Sequence, residues 1–154
     1  ITPLINQKGI DKVFKLVKQA TESGAEILAG GNISSEFKNI VQPTVLSKVD
    51  KDMEIASEEI FGPVVALIPF NDDDEVIAAA NNTSAGLASY AYTENRHRIN
   101  RLVAELQYGM VGINTGMLSN EMAPFGGVKE SGMGREGSKY GISDYLDIKY
   151  ACIN

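Results

Sequence analysis

The stretch PFGGVKESGMGREG, Pro124 to Gly137, decides how the chain is read, because its end contains the spacing G-x-G-x-x-G at Gly132, Gly134 and Gly137. A dinucleotide-binding fingerprint of that spacing needs a strand before it, a helix opening from it and an acidic residue about 20 positions further on. Before Gly132 stands PFGGVKES, which has no strand pattern, and twenty positions beyond it stands Cys152. The context speaks against the dinucleotide fingerprint and leaves a free-standing dinucleotide-binding domain only as a rival reading. The glycines are expected instead to let a tight loop bend and pack closely, since glycine tolerates φ > 0. Residues 115–141 as a whole are dense in glycine and form a long loop, which in a compact domain is usually functional.

Working outward from the loop, the preceding sequence alternates apolar runs with amphipathic ones. Val64–Phe70 (VVALIPF), Leu87–Thr93 and Met110–Asn114 read as strands. Between them lie a short helix opening at Asp72-Asp73-Asp74 and a longer one carrying Ile99, Leu102, Val103 and Leu106 on one face. Carboxylates suit the positive end of the first helix, and Thr93 is the expected cap of the second. Strand, helix, strand, helix, strand implies crossovers in a parallel sheet with flanking helices, so the class is α/β. Further back, Ile10, Val13, Phe14 and Val17 place a helix over 8–23, stopped by Gly24. A short strand at Glu26–Leu28, a polar loop over 32–39 and an edge strand over 40–49, interrupted by Pro43, complete that half. At the other end, Asp144–Ile153 alternates Leu146, Ile148, Tyr150 and Cys152 with Tyr145, Asp147, Lys149 and Ala151. That is the pattern of a terminal strand, whose open edge invites another chain. Residues 1–141 and 142–154 therefore divide the chain.

The bulk numbers exclude several classes. At 44% hydrophobic and 22% charged, 154 residues can bury a core without disulfides. A net charge of −6 argues against a nucleic-acid surface. The one basic cluster, Asn95–Arg101, reads as a solvated helix face. No apolar run reaches a membrane span's length of about 20 residues. The single cysteine fits a reducing compartment, the cytoplasm or an organelle matrix. Cys152 has neither an adjacent histidine nor a helix start to activate it, and His97 has no convergent ligands, so neither a nucleophile nor a metal site is expected within the chain. The opening Ile1-Thr2-Pro3 lacks an initiator methionine and suggests a piece of a longer sequence, with a processed terminus as the alternative.

Two separated motifs in one order, EEIFGP at Glu58–Pro63 and the loop at Pro124–Gly137, resemble the C-terminal part of the aldehyde dehydrogenase superfamily. The opening PLINQKGIDKV, Pro3–Val13, resembles the segment these enzymes carry after their catalytic cysteine, so the resemblance covers essentially the whole chain. Within the superfamily, SNEMAPFGG (Ser119–Gly127) and GREGSKYGI (Gly134–Ile142) are most similar to the succinate-semialdehyde dehydrogenases. The resemblance implies an enzyme using NAD or NADP, bound mainly by a domain upstream of Ile1. A cysteine thiolate, also upstream with the general-base glutamate, attacks the aldehyde; hydride passes to the coenzyme and water releases the acid.

The same resemblance assigns roles within the chain. Glu59 accepts from the ribose hydroxyls beside the nicotinamide, and Phe61 packs near its ring; read alone, the first is a solvated charge and the second a core side chain. Ser119 helps bind the distal carboxylate of the substrate, where a loop serine facing water is the plain alternative. Phe125 lines the aldehyde tunnel or merely anchors the loop. Lys129 and Arg135 organise the loop through backbone carbonyls. The C-terminal strand implies a homo-oligomer. Two other readings stay open: a non-catalytic assembly module, and an enzyme for another ω-carboxy aldehyde such as glutarate semialdehyde.

Overall fold

The computed structural model describes residues 1–34 and 39–154; of the loop expected over 32–39, residues 35–38 lie outside the described residues. The chain forms two compact units, Ile1–Asn71 and Asp72–Asn154.

The first unit is built on α1 (Gln7–Glu22). Asn6 caps it, its side-chain oxygen accepting from the Gly9 amide at 3.0 Å. The apolar spacing buries Ile10, Val13, Leu16, Val17 and Ala20 along one face. The helix closes with Gly24 at φ 106°, its amide bonded to the Thr21 carbonyl and that of Ala25 to Ala20. These are the two bonds of a Schellman cap, at the glycine that the sequence marks as a stop. Three short strands follow: β1 (Glu26–Ala29), β2 (Thr44–Ser47) and β3 (Val64–Ala66), in spatial order β1-β2-β3. β1 pairs antiparallel with β2, and β2 pairs parallel with β3. Leu46, in the central strand, is 0% exposed and sits in the core formed with the α1 face, Val41, Val49 and Ile55. Ile55 comes from α2 (Glu54–Ser57), a single turn that the sequence reading missed.

The second unit carries α3 (Asp73–Asn81), β4 (Ala88–Ala91), α4 (Arg96–Glu105) and β5 (Met110–Ile113). Asp72 caps α3, accepting from the Glu75 amide at 2.9 Å. The cap of α4 is Asn95, not Thr93; Asn95 accepts from the Arg98 amide, while the Thr93 hydroxyl accepts from the Asn95 amide one step earlier. The two helices are joined by charge. Arg98 donates to both carboxylate oxygens of Asp73, at 2.9 and 2.8 Å, and Arg101 bonds Asp74 and Glu105. The hydrogen bonds to Glu105 and Asp74 raise the Arg101 guanidinium further above its already high usual pKa. The basic cluster is thus an intramolecular clasp rather than a purely solvated face. β4 and β5 pair in parallel, in register from Ala88↔Met110 to Ala91↔Ile113.

The α/β class and the parallel β4–β5 pair stand, but the continuous parallel sheet does not. Among the described residues β3 is bonded to β2 and belongs to a different sheet from β4 and β5. Its strand covers three of the seven residues of the apolar run, which also contains Pro69, a residue without an N–H for a ladder. The terminal strand expected over 144–153 also differs. Gly141–Tyr145 forms a 3₁₀ turn, and Leu146–Asn154 forms no helix or strand and is exposed throughout. A strand exists through its ladder, and among the described residues this segment pairs with none. No helix among the described residues is long and apolar enough to cross a membrane.

Candidate functional site

The EEIFGP motif lies between α2 and β3, in the first unit, and α1 holds it from one side. Lys12 donates from Nζ to Glu58 Oε2 at 3.2 Å and to the Glu59 carbonyl at 2.8 Å. Its neighbour Val13, buried in the core, approaches Gly62 so closely that a Cβ there would lie 2.5 Å from Val13 Cγ2. Lys15, one turn on, pairs with Glu54 of α2 at 3.1 Å. The hydrogen bond from Lys15 holds the Glu54 carboxyl below the ordinary carboxylate range.

These anchors distinguish the two glutamates. Glu58 is the charge partner of Lys12, whereas the Glu59 carboxylate has no hydrogen bond or ion pair among the described residues. Phe61 is 78% exposed, so it is not a core side chain of this unit. Its backbone lies at φ 48°, a left-handed conformation that a bulky residue adopts only when its surroundings impose it. The motif presents an unengaged carboxylate and an uncovered ring two residues apart.

The glycine loop belongs to the second unit and is held by backbone atoms. Val128 and Glu130 donate their amides to the Gly86 and Ser84 carbonyls, and Ser131 Oγ accepts from the Gly86 amide. Lys129 Nζ donates to the carbonyls of Asn81, the last residue of α3, and of Thr83 just past it, at 2.9 and 3.0 Å. Arg135 Nη1 donates to the Gly127 and Gly134 carbonyls at 2.8 and 2.6 Å. Both cations thus organise the loop through carbonyls, as the sequence leads one to expect. Gly109 meets Gly126 so tightly that a Cβ on Gly109 would stand 2.0 Å from the Gly126 carbonyl oxygen. Gly132, Gly134 and Gly137 all have positive φ, and a 3₁₀ turn, Lys129–Ser131, precedes them. Among the described residues no strand leads into these glycines and no α-helix opens from them, so the fingerprint reading falls.

Phe125 is tied into the loop by reciprocal backbone bonds with Glu136, at 2.9 and 2.7 Å. It lines a recess of about 750 Å³ together with Gly126, Ser131, Arg135, Asp144 and Tyr145. Ser119 lies earlier in the loop, exposed, beside Leu118, whose side chain seats against Gly112 of β5. Glu59 and Phe61 therefore share one unit, and Ser119 and Phe125 the other. Cys152 is exposed and free, and no group of three metal-ligating side chains occurs among the described residues. Sequence reasoning missed Lys12. Its partners lie 46 and 47 positions away, and nothing local marks a lysine that will meet them.

The model of the aldehyde dehydrogenase family matches residues 1–151. A glutarate-semialdehyde dehydrogenase of Pseudomonas putida is 52% identical over 99% of this chain and 31% of its own length. The NADP-dependent succinate-semialdehyde dehydrogenase of Escherichia coli is 50% identical over 99% of this chain and 32% of its own. A crystal structure of succinate-semialdehyde dehydrogenase from Burkholderia pseudomallei superposes with a TM-score of 0.95 at 48% identity, over 98% of this chain and 31% of that one. The chain spans about a third of the length of these relatives.

Proposed function

Since the chain belongs to the aldehyde dehydrogenase family, we propose that it forms part of the catalytic domain of an NAD(P)-dependent enzyme that oxidises succinate semialdehyde to succinate. The observation that carries this reading is the unengaged Glu59 carboxylate beside the exposed, left-handed Phe61. Those residues fit a nicotinamide riboside. Two carboxylate oxygens can accept from two ribose hydroxyls, and the phenyl ring offers a flat apolar face. When bound, the coenzyme supplies the electron acceptor for aldehyde oxidation. Glu59 fixes the ribose and Phe61 limits movement of the ring, and rate depends steeply on such positioning.

On the substrate side, the Ser119 hydroxyl donates one charge-assisted hydrogen bond to the distal carboxylate, and Phe125 forms part of the tunnel wall. The nucleophilic cysteine, the general base and the residues choosing between NAD and NADP come from sequence outside these 154 residues. Residues 142–154 serve assembly. Leu146, Ile148, Tyr150 and Cys152 are all exposed, and an alternating apolar segment gains a ladder by pairing with a second copy. The 52% identity to a glutarate-semialdehyde dehydrogenase favours one second reading, a substrate longer by one methylene. One methylene changes discrimination by only about 1–3 kcal/mol, so the same loop can serve both.

The test is a comparison of kcat/KM in the full-length protein for succinate semialdehyde, glutarate semialdehyde and butanal, with NAD and with NADP. A preference of about tenfold or more for the carboxylated aldehydes is expected. Equal turnover of butanal would remove the carboxylate from the specificity.

A further inference from the structure

The motif contains two adjacent glutamates of equal intrinsic chemistry, yet only one is free. We infer that Lys12 is the positioning residue that sorts them: it engages Glu58 and the Glu59 carbonyl, and so leaves the Glu59 carboxylate for the coenzyme. This inference rests on the coenzyme reading given above.

An ammonium has three donors. Lys12 uses one on Glu58 Oε2 at 3.2 Å and one on the Glu59 carbonyl oxygen at 2.8 Å. The first neutralises a carboxylate that would otherwise compete with its neighbour. The second fixes the main chain of the residue whose side chain must stay available. Lys12 itself is held by the helix: Ile10 and Val13 on either side of it are buried, and Val13 packs against Gly62 at the other end of the motif. One turn of α1 thus grips the motif at Glu58, Glu59 and Gly62. The Lys12 side chain is 44% exposed and that of Glu58 50%. Exposed pairs of this kind add little to folding stability, so their loss is expected to appear in coenzyme binding rather than in the fold.

The experiment uses the full-length protein and three variants, Lys12→Met, Glu59→Gln and the double variant. Fluorescence titration with reduced coenzyme gives Kd, steady-state kinetics gives KM for the aldehyde, and thermal melting monitors the fold. Lys12→Met is expected to raise coenzyme Kd about fivefold, with aldehyde KM and Tm unchanged. Because Lys12 acts through Glu59, the double variant is expected to bind no more weakly than Glu59→Gln alone. An unchanged Kd for Lys12→Met, or single effects that multiply in the double variant, would overturn the sorting role. An unchanged Kd for Glu59→Gln would instead overturn the underlying coenzyme reading. Should Lys12→Met fail to fold, Glu58→Gln leaves α1 intact. It is expected to raise Kd about twofold, and an unaltered Kd would again overturn the role.

Discussion

The two units are stabilised differently. In Ile1–Asn71 a helix face and a central strand enclose a core in which Ile10, Val13, Leu16, Val41, Leu46 and Val49 are almost wholly buried. Among the described residues of Asp72–Asn154, the buried large apolar side chains are Ile77 and Leu102, and even these keep 6% and 8% exposure. Arginine–carboxylate pairs, lysine and arginine bonds to carbonyls, and glycines in backbone contact hold it instead. Each unit's candidate site follows from its means of support. EEIFGP is a short motif braced against a packed helix. The glycine loop is a long segment whose shape is set by its own main chain. A core tolerates surface change and resists truncation, whereas a backbone clasp tolerates loss of apolar area and resists any added atom.

That contrast can be broken by substitution in the full-length protein. The largest effect is expected for Leu46→Ala, which empties the centre of the first core and should lower stability by about 2–5 kcal/mol in denaturant unfolding. Gly109→Ala comes next. Its Cβ would meet the Gly126 carbonyl oxygen at 2.0 Å, so the loop must shift, at a cost of about 1–3 kcal/mol and with loss of activity. If Leu46→Ala were benign and Gly109→Ala folded and worked normally, the contrast would not hold. Ser119→Ala sharpens the contrast on the functional side. It should leave unfolding unchanged yet raise KM for succinate semialdehyde more than for butanal, by roughly 1–3 kcal/mol of lost binding.

The smallest effect belongs to Glu54. Its carboxyl is held low by the hydrogen bond from Lys15, so the folded state favours the charged form. Stability from this contact is present above the ordinary carboxylate range and lost as pH falls through the lowered folded value. Lys15→Met should flatten the acid limb of a stability-against-pH curve slightly. An unaltered limb would show the contact to be idle.

Much of this was legible in the residues. The α1 face, its glycine stop, the aspartate opening of α3 and the glycine-loop bend are local signals with local causes. The β3 partner was not legible. Consecutive apolar runs suggest that β3 continues into the next strand's sheet, but its ladder is with β2, across an intervening turn of helix. Capping falls to Asn95, two residues past the expected Thr93, whose hydroxyl oxygen instead holds the approach by accepting from the Asn95 amide. At the site, Glu59 and Phe61 were named by motif, yet only geometry distinguishes Glu58 from Glu59. The lysine that does so sits on another element, and tertiary pairing leaves no trace in a window of sequence.

The most direct measurement is a crystal structure of the full-length protein with NAD or NADP bound. The expected result places both Glu59 carboxylate oxygens about 2.7–3.2 Å from the nicotinamide ribose hydroxyls, with Phe61 against the nicotinamide. A coenzyme whose pyrophosphate lies in the turn at Gly132 and Gly134, with Glu59 remote from the ribose, would contradict it.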